Sequence, residues 1–118
     1  MATEDKKMKF INIDNSNFNL KKAQELVDEW INENGGYWNP FAMLTSVVEE
    51  LGEFSKELSN IEKVKIKKDN NSNLEIELGD LIFSLICLAN YYKIDILEAL
   101  KKSIIKYTKR DWNRFICK

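Results

Sequence analysis

The sequence predicts an all-α protein, a four-helix antiparallel bundle that oligomerises through its helices. Apolar residues recur at helical spacing in four separate segments. Capping and stop residues fall at the ends of those segments, and no convincing hairpin signal interrupts them. Short connections between four such helices favour an antiparallel arrangement.

Residues 1–18 read as a polar arm, with Lys9-Phe10-Ile11-Asn12-Ile13 as a weak strand candidate; residues 19–118 form the single helical domain. The first helix runs from Leu20 to Asn34, with Leu20, Ala23, Leu26, Val27, Trp30 and Ile31 on its apolar face, and Gly35-Gly36 stops it. Asn39-Pro40 is an N-cap followed by a first-turn proline. It opens a second helix whose stripe, Phe41, Leu44, Val47, Val48, Leu51, Phe54 and Leu58, ends near Ser59. Lys63, Lys65, Lys67, Lys68 and several asparagines then make residues 60–73 a solvated loop. Ser72 with Glu75 fits a capping box for the third helix, which runs to about Tyr92. That helix is apolar on nearly every side and should therefore be central. Asp95 with Glu98 caps a fourth, which carries Ile96, Leu97, Leu100, Ile104 and Tyr107 and ends among Lys106, Lys109 and Arg110.

With 118 residues the chain has room for one domain. Its 18 basic and 19 acidic side chains leave a net charge of −1, which argues against bulk electrostatic binding to nucleic acid. The longest apolar run, Leu81 to Ala89, is too short to cross a membrane, and the N-terminus lacks a signal-peptide core. Cys87 and Cys117 have no metal or disulfide spacing, which suits a reduced, cytoplasmic setting. Histidine is absent altogether. This removes His-dependent nucleophiles and most zinc sites, and leaves catalysis to carboxylates, amines, hydroxyls or a bound metal.

Two segments share the pattern acid, Leu, Gly, acid: Glu49-Glu50-Leu51-Gly52-Glu53 on the second helix and Glu77-Leu78-Gly79-Asp80 on the third. Acids at i and i+3 lie on one helix face. An acidic face alone is ordinary solvated surface. Glu77 and Asp80, however, open a segment that should lie inside the bundle, where unpaired carboxylates are costly. The paired glycines suggest close backbone approach beside the acids. If the two helices pack antiparallel, Glu50, Glu53, Glu77 and Asp80 converge and need a cation. Hard oxygen ligands without His or Cys select Mg²⁺, with Mn²⁺ as its substitute, and Mg²⁺ at such a site implies a phosphorylated substrate.

These residues resemble the MazG-like nucleoside triphosphate pyrophosphohydrolases. The resemblance rests on Glu49-Glu50-x-x-Glu53 followed by Glu77-x-x-Asp80, on the lead-in Gly36-Tyr37-Trp38-Asn39-Pro40, on Leu88-Ala89-Asn90, and on Lys106-Tyr107 with Arg110. It extends from about Leu20 to Arg110. It implies that Glu50, Glu53, Glu77 and Asp80 bind Mg²⁺, and that Glu49 acts as a further ligand or orients the attacking water. Glu49 or Glu53 would accept the proton. Lys106 and Arg110 would hold phosphate oxygens, while Trp38 and Asn90 would contact the base. Ile104 stands where many relatives carry Asn.

The implied reaction is Mg²⁺-dependent hydrolysis of a nucleoside triphosphate to monophosphate and pyrophosphate by metal-activated water. Family analogy and the apolar third helix imply a homodimer or a dimer-based homotetramer, with no nucleic-acid or membrane partner. Two alternatives stand beside this reading. One is a dUTPase-like or dCTPase-like specialist of the same superfamily; the other is a non-catalytic helical oligomer or binding module.

Overall fold

The computed structural model describes residues 2–62 and 73–114, and the chain begins in it with helix α1, Ala2–Met8, rather than with a strand near residues 9–13. Glu4 and Asp5 stand in the first turn of α1 and Lys6 and Lys7 in its last, the arrangement a helix dipole favours. Lys9 and Lys6 pair with Glu29 and Glu33 of the next helix at 2.6 and 3.5 Å. These exposed pairs locate the arm and stabilise it little. A 3₁₀ turn, Asn15–Asn17, follows; the Asp14 carboxylate caps it by accepting from the Ser16 N–H at 3.0 Å.

Asn19 opens α2, Leu20–Glu33, by accepting from the Lys22 N–H at 2.8 Å. Its end is a glycine-dependent stop. Gly35 and Gly36 have φ of 103° and 88°, and the Gly36 N–H donates back to the Ile31 carbonyl at 2.8 Å. Asn39 then accepts from the Phe41 N–H at 2.8 Å, with Pro40 in the first turn of α3, Pro40–Ile61.

Helix α4 spans Leu74–Tyr91. Its N-cap is Asn73, which makes no side-chain cap bond. Ser72, the expected cap, and the lysines at 63–68 lie outside the described residues. Support for this end comes instead from α3, where the Glu57 carboxylate accepts from the Asn73 N–H at 3.2 Å. Asp95 caps α5, Ile96–Asp111, by accepting from the Glu98 N–H at 3.1 Å. Among the described residues there is no strand.

The main packing runs in a row: α3 against α4, α4 against α2, and α2 against α5. Helix α4 is thus central, as its composition requires, and supplies buried Ser84, Ile86 and Cys87. A four-helix bundle is not closed by this row within one chain. The α3–α4 pair meets along seams at coiled-coil spacing. On α3 these are Met43, Val47, Glu50, Phe54 and Glu57, and on α4 Leu74, Glu77, Leu81, Ser84 and Leu88, all buried or half-buried. A second α3 seam, Phe41, Leu44, Val48, Leu51 and Leu58, remains uncovered, as do Leu78, Ile82 and Leu85 on α4. Phe41 is 80% and Val48 60% exposed. No helix among the described residues is long and apolar enough to cross a membrane.

Candidate metal centre and nucleotide cavity

The inward seams place three glutamates where a purely structural helix pair would carry leucines. Glu50 and Glu77 are half-buried between α3 and α4, and Glu57 is only 6% exposed. Helical spacing accounts for this: Glu50, Glu53 and Glu57 stand at i, i+3 and i+7, and Glu77 and Asp80 at i and i+3. Carboxylate oxygens of Glu50, Glu77 and Asp80 all lie within 4.8 Å of one another. Glu53 is exposed and outside that trio, but its charge reaches Glu77. Glu49 is exposed on α3, also outside the trio. The Glu77 carboxyl is held above the ordinary carboxylate range. Burial is the largest cause, and the charges of Asp80, Glu53, Glu50 and Glu57 add to it.

Such a cluster repels itself unless a cation shares it. Oxygen-only donors, two of them half-buried and all mutually repelling, fit a hard divalent ion. The sign of the pH effect follows. Because the folded Glu77 carboxyl binds its proton more tightly than an unfolded one, metal-free protein loses stability as pH rises from about 4.5 through its folded-state value. Melting curves in EDTA should therefore show a Tm that falls between pH 5 and pH 7. Mg²⁺ should raise Tm more at pH 7 than at pH 5; equal increments would argue against these acids as ligands.

Gly52 and Gly79 do not mark close backbone approach. A Cβ at either position would meet nothing within 4 Å, so the glycines leave open space beside the acids.

A cavity of about 410 Å³ is lined by Glu50 and Asp80. Trp30, Tyr37, Trp38 and Phe83 share its wall, together with Met43, Ser46, Ser84 and Cys87. The volume lies within the range of small-molecule sites. Trp30 and Phe83 meet edge to face at 5.5 Å, tying α2 to α4. Trp38 is 65% exposed at the cavity wall, beside acids that lie far from it in sequence. Burial pushes the Cys87 thiol up.

The α4–α5 candidates lie elsewhere. Asn90 does not line the cavity; its Oδ1 accepts from Gln24 Nε2 and its Nδ2 donates to the Gln24 carbonyl, both at 2.9 Å. Lys106 and Arg110 stand over the Tyr107 ring at 4.7 and 5.1 Å, and Arg110 chelates the Asp111 carboxylate. Neither lines the cavity.

Residues 39–115 match the model of the MazG nucleotide pyrophosphohydrolase domain, well over half of the chain. The chain belongs to the MazG family. It is an enzyme of the nucleotide pyrophosphohydrolase type, and the metal dependence general to MazG proteins accords with the carboxylate cluster. It is 36% identical over 99 residues to YpjD of Bacillus subtilis, a match covering 81% of this chain and 89% of YpjD. The crystal structure of YpjD, described as a candidate pyrophosphatase, superposes with a TM-score of 0.72 over 78% of this chain and 97% of that one. The Bacillus-conserved MazG protein, a nucleotide pyrophosphohydrolase, is 31% identical with a TM-score of 0.67, covering 83% and 98% respectively.

Sequence reasoning missed Glu57, whose place seven residues after Glu50 was the available signal. It also left Trp30 to core packing. Phe83, Ser46 and Ser84 carried no signal of their own, because a cavity wall and a core face share the same helical period.

Proposed function

We propose that this MazG enzyme hydrolyses nucleoside triphosphates to the monophosphate and pyrophosphate, with Mg²⁺ held by Glu50, Glu77, Asp80 and Glu53. The observation that carries the reading is a carboxylate trio two of whose members, Glu50 and Asp80, line an aromatic-walled cavity. Bound Mg²⁺, or Mn²⁺ in its place, would neutralise the acids and the triphosphate and acidify a water. The chain's own residues do the rest. Trp30, Trp38 and Phe83 take the base against their faces, which sets the α-phosphorus near Glu50 and Asp80. Glu53, exposed and one turn from Glu50, accepts the proton of the attacking water, with Glu49 as its neighbour in that role.

Lys106 and Arg110 would steady the departing pyrophosphate. Since neither lines the cavity within one chain, we assign that contact to the assembled homodimer or dimer-based tetramer. The uncovered α3 and α4 seams supply the surface for such an assembly. The free, buried Cys87 accords with a cytoplasmic setting.

Base selection should be weak. Among the described residues, the aromatic wall of the cavity offers the hydroxyls of Ser46 and Ser84 but no side-chain amide or cation, and the Ser84 O–H already donates to the Leu81 carbonyl at 2.8 Å. Apolar and stacking contacts discriminate by roughly 10- to 200-fold, far less than a hydrogen-bonding site. Pyrophosphate release should be measured across ribo-, deoxyribo- and modified nucleoside triphosphates, with and without Mg²⁺. Metal-dependent release with monophosphate as co-product, and base preferences within about 10²-fold, are expected. Folded protein that releases no pyrophosphate would sink the reading, and a 10⁴-fold preference for one base would sink the account of the cavity.

A further inference from the structure

The wall of the cavity that carries Tyr37 and Trp38 is the connection between α2 and α3, and its backbone is poorly suited to hold itself. It starts with two glycines at positive φ, residues with more conformational freedom than any other. Two points fix its ends: the Gly36 N–H on the Ile31 carbonyl, and Asn39 capping α3. Between them stand Tyr37 and Trp38, both cavity residues.

Tyr37 reaches out of that cavity. Its ring lines the wall, while its hydroxyl donates to the Asp28 carboxylate on α2. Asp28 does not line the cavity; with Gln24 and Asn90 it lines a separate shallow groove. The far end of the strut is itself anchored. Gln24, one turn before Asp28, donates to Asn90 Oδ1 and to the Ile94 carbonyl, both at 2.9 Å, and its Oε1 accepts from the Ile96 N–H at 2.9 Å. The Tyr37 ring also meets Tyr91 edge to face at 6.2 Å. Burial, then Asp28, pushes the Tyr37 hydroxyl well above the usual phenol range, so it remains a donor at any physiological pH.

We propose that Asp28 is a positioning residue of the nucleotide pocket: through the Tyr37 hydroxyl it holds the α2–α3 connection, and Trp38 with it, in place before substrate arrives. The inference rests on the nucleotide reading of the cavity. A preset wall lowers the ordering cost of binding, and once substrate is bound and the wall is ordered, the acids on α3 and α4 act as in the wild type.

Three variants test it: Tyr37→Phe, Asp28→Ala and Asp28→Asn. Amide hydrogen exchange at residues 36–38 without nucleotide comes first, followed by KM and kcat with Mg²⁺ and the best substrate of the wild type. In Tyr37→Phe and Asp28→Ala, exchange should quicken and KM rise about tenfold, with kcat within about twofold of wild type. Asp28→Asn keeps an acceptor oxygen and should restore both. Unchanged exchange in Asp28→Ala would overturn the strut whatever turnover does. Faster exchange with unchanged KM would overturn its link to the pocket. An Asp28→Asn variant as impaired as Asp28→Ala would also overturn it, since charge rather than hydrogen-bond acceptance would then be at work. An inactive wild type would refute the nucleotide reading, and with it the pocket role of Asp28; the exchange data would show separately whether the strut exists.

Discussion

Glu77→Gln and Asp80→Asn should each lower kcat/KM for pyrophosphate release on the order of 10³-fold, while leaving metal-free protein as stable as the wild type or more so. The opposite signs follow from one piece of geometry. Three carboxylates with oxygens within 4.8 Å of one another repel, and Glu77 feels four other acids besides its burial. Replacing a carboxylate by its amide keeps the shape and removes a charge, so the fold is relieved of repulsion. The same change removes a ligand from a site whose function depends on concentrated negative charge. Three measurements separate the possibilities: turnover, Tm in EDTA, and the Tm increment on adding Mg²⁺. Activity and increment should vanish together as the EDTA value holds or rises. If a variant loses activity because it unfolds in EDTA, the acids are structural; if it keeps both activity and increment, it is no ligand.

On the assembly proposed above, Val48→Glu should convert a dimer or tetramer into a monomer that is largely unfolded or melts many degrees lower. The described residues bury only Met43, Ile86 and Cys87 among their hydrophobic side chains. A chain of this length needs more apolar burial than that to offset its conformational entropy. The missing burial is visible as the uncovered seam Phe41, Leu44, Val48, Leu51, Leu58, with its 3-4-3-7 spacing, and its counterpart Leu78, Ile82, Leu85 on α4. Two α3–α4 pairs laid seam to seam would form the four-helix bundle that one chain does not close. A glutamate in mid-seam would be stranded in that interface without a partner. Sedimentation velocity and thermal melts decide it. A wild type that sediments as a stable monomer, or a Val48→Glu variant that remains assembled, would remove α3 from the interface.

Much of this was legible in the sequence, because caps and periodicity are local. Asn39-Pro40, Asp95 with Glu98 and the Gly35-Gly36 stop are all used as their residue types suggest. The acidic pairs were legible for the same reason: i and i+3 on a helix share a face whatever surrounds them. Non-local facts were not. Glu57 stands seven residues after Glu50, which puts it on the same inward face, but no spacing says that it steadies the start of α4. The glycines of the two acidic motifs suggest a neighbouring backbone, whereas the fold leaves space beside them. Asn90 is bound by an amide sixty-six residues away, a pairing no spacing rule could find. The four-helix bundle is of the same kind, since an apolar stripe announces that it will be covered without saying by which chain.

The row α3, α4, α2, α5 also sets how change propagates through the molecule. The main contact of α5 is with α2, so a disturbance on α5 reaches the carboxylates chiefly through α2 and α4, and the helix bearing Lys106 and Arg110 can drift in sequence at small cost to the metal ligands. The acids, by contrast, sit in the seam on which the whole row is built, and nothing there can be altered privately. The fold thus divides the enzyme into a fixed hearth and an adjustable rim.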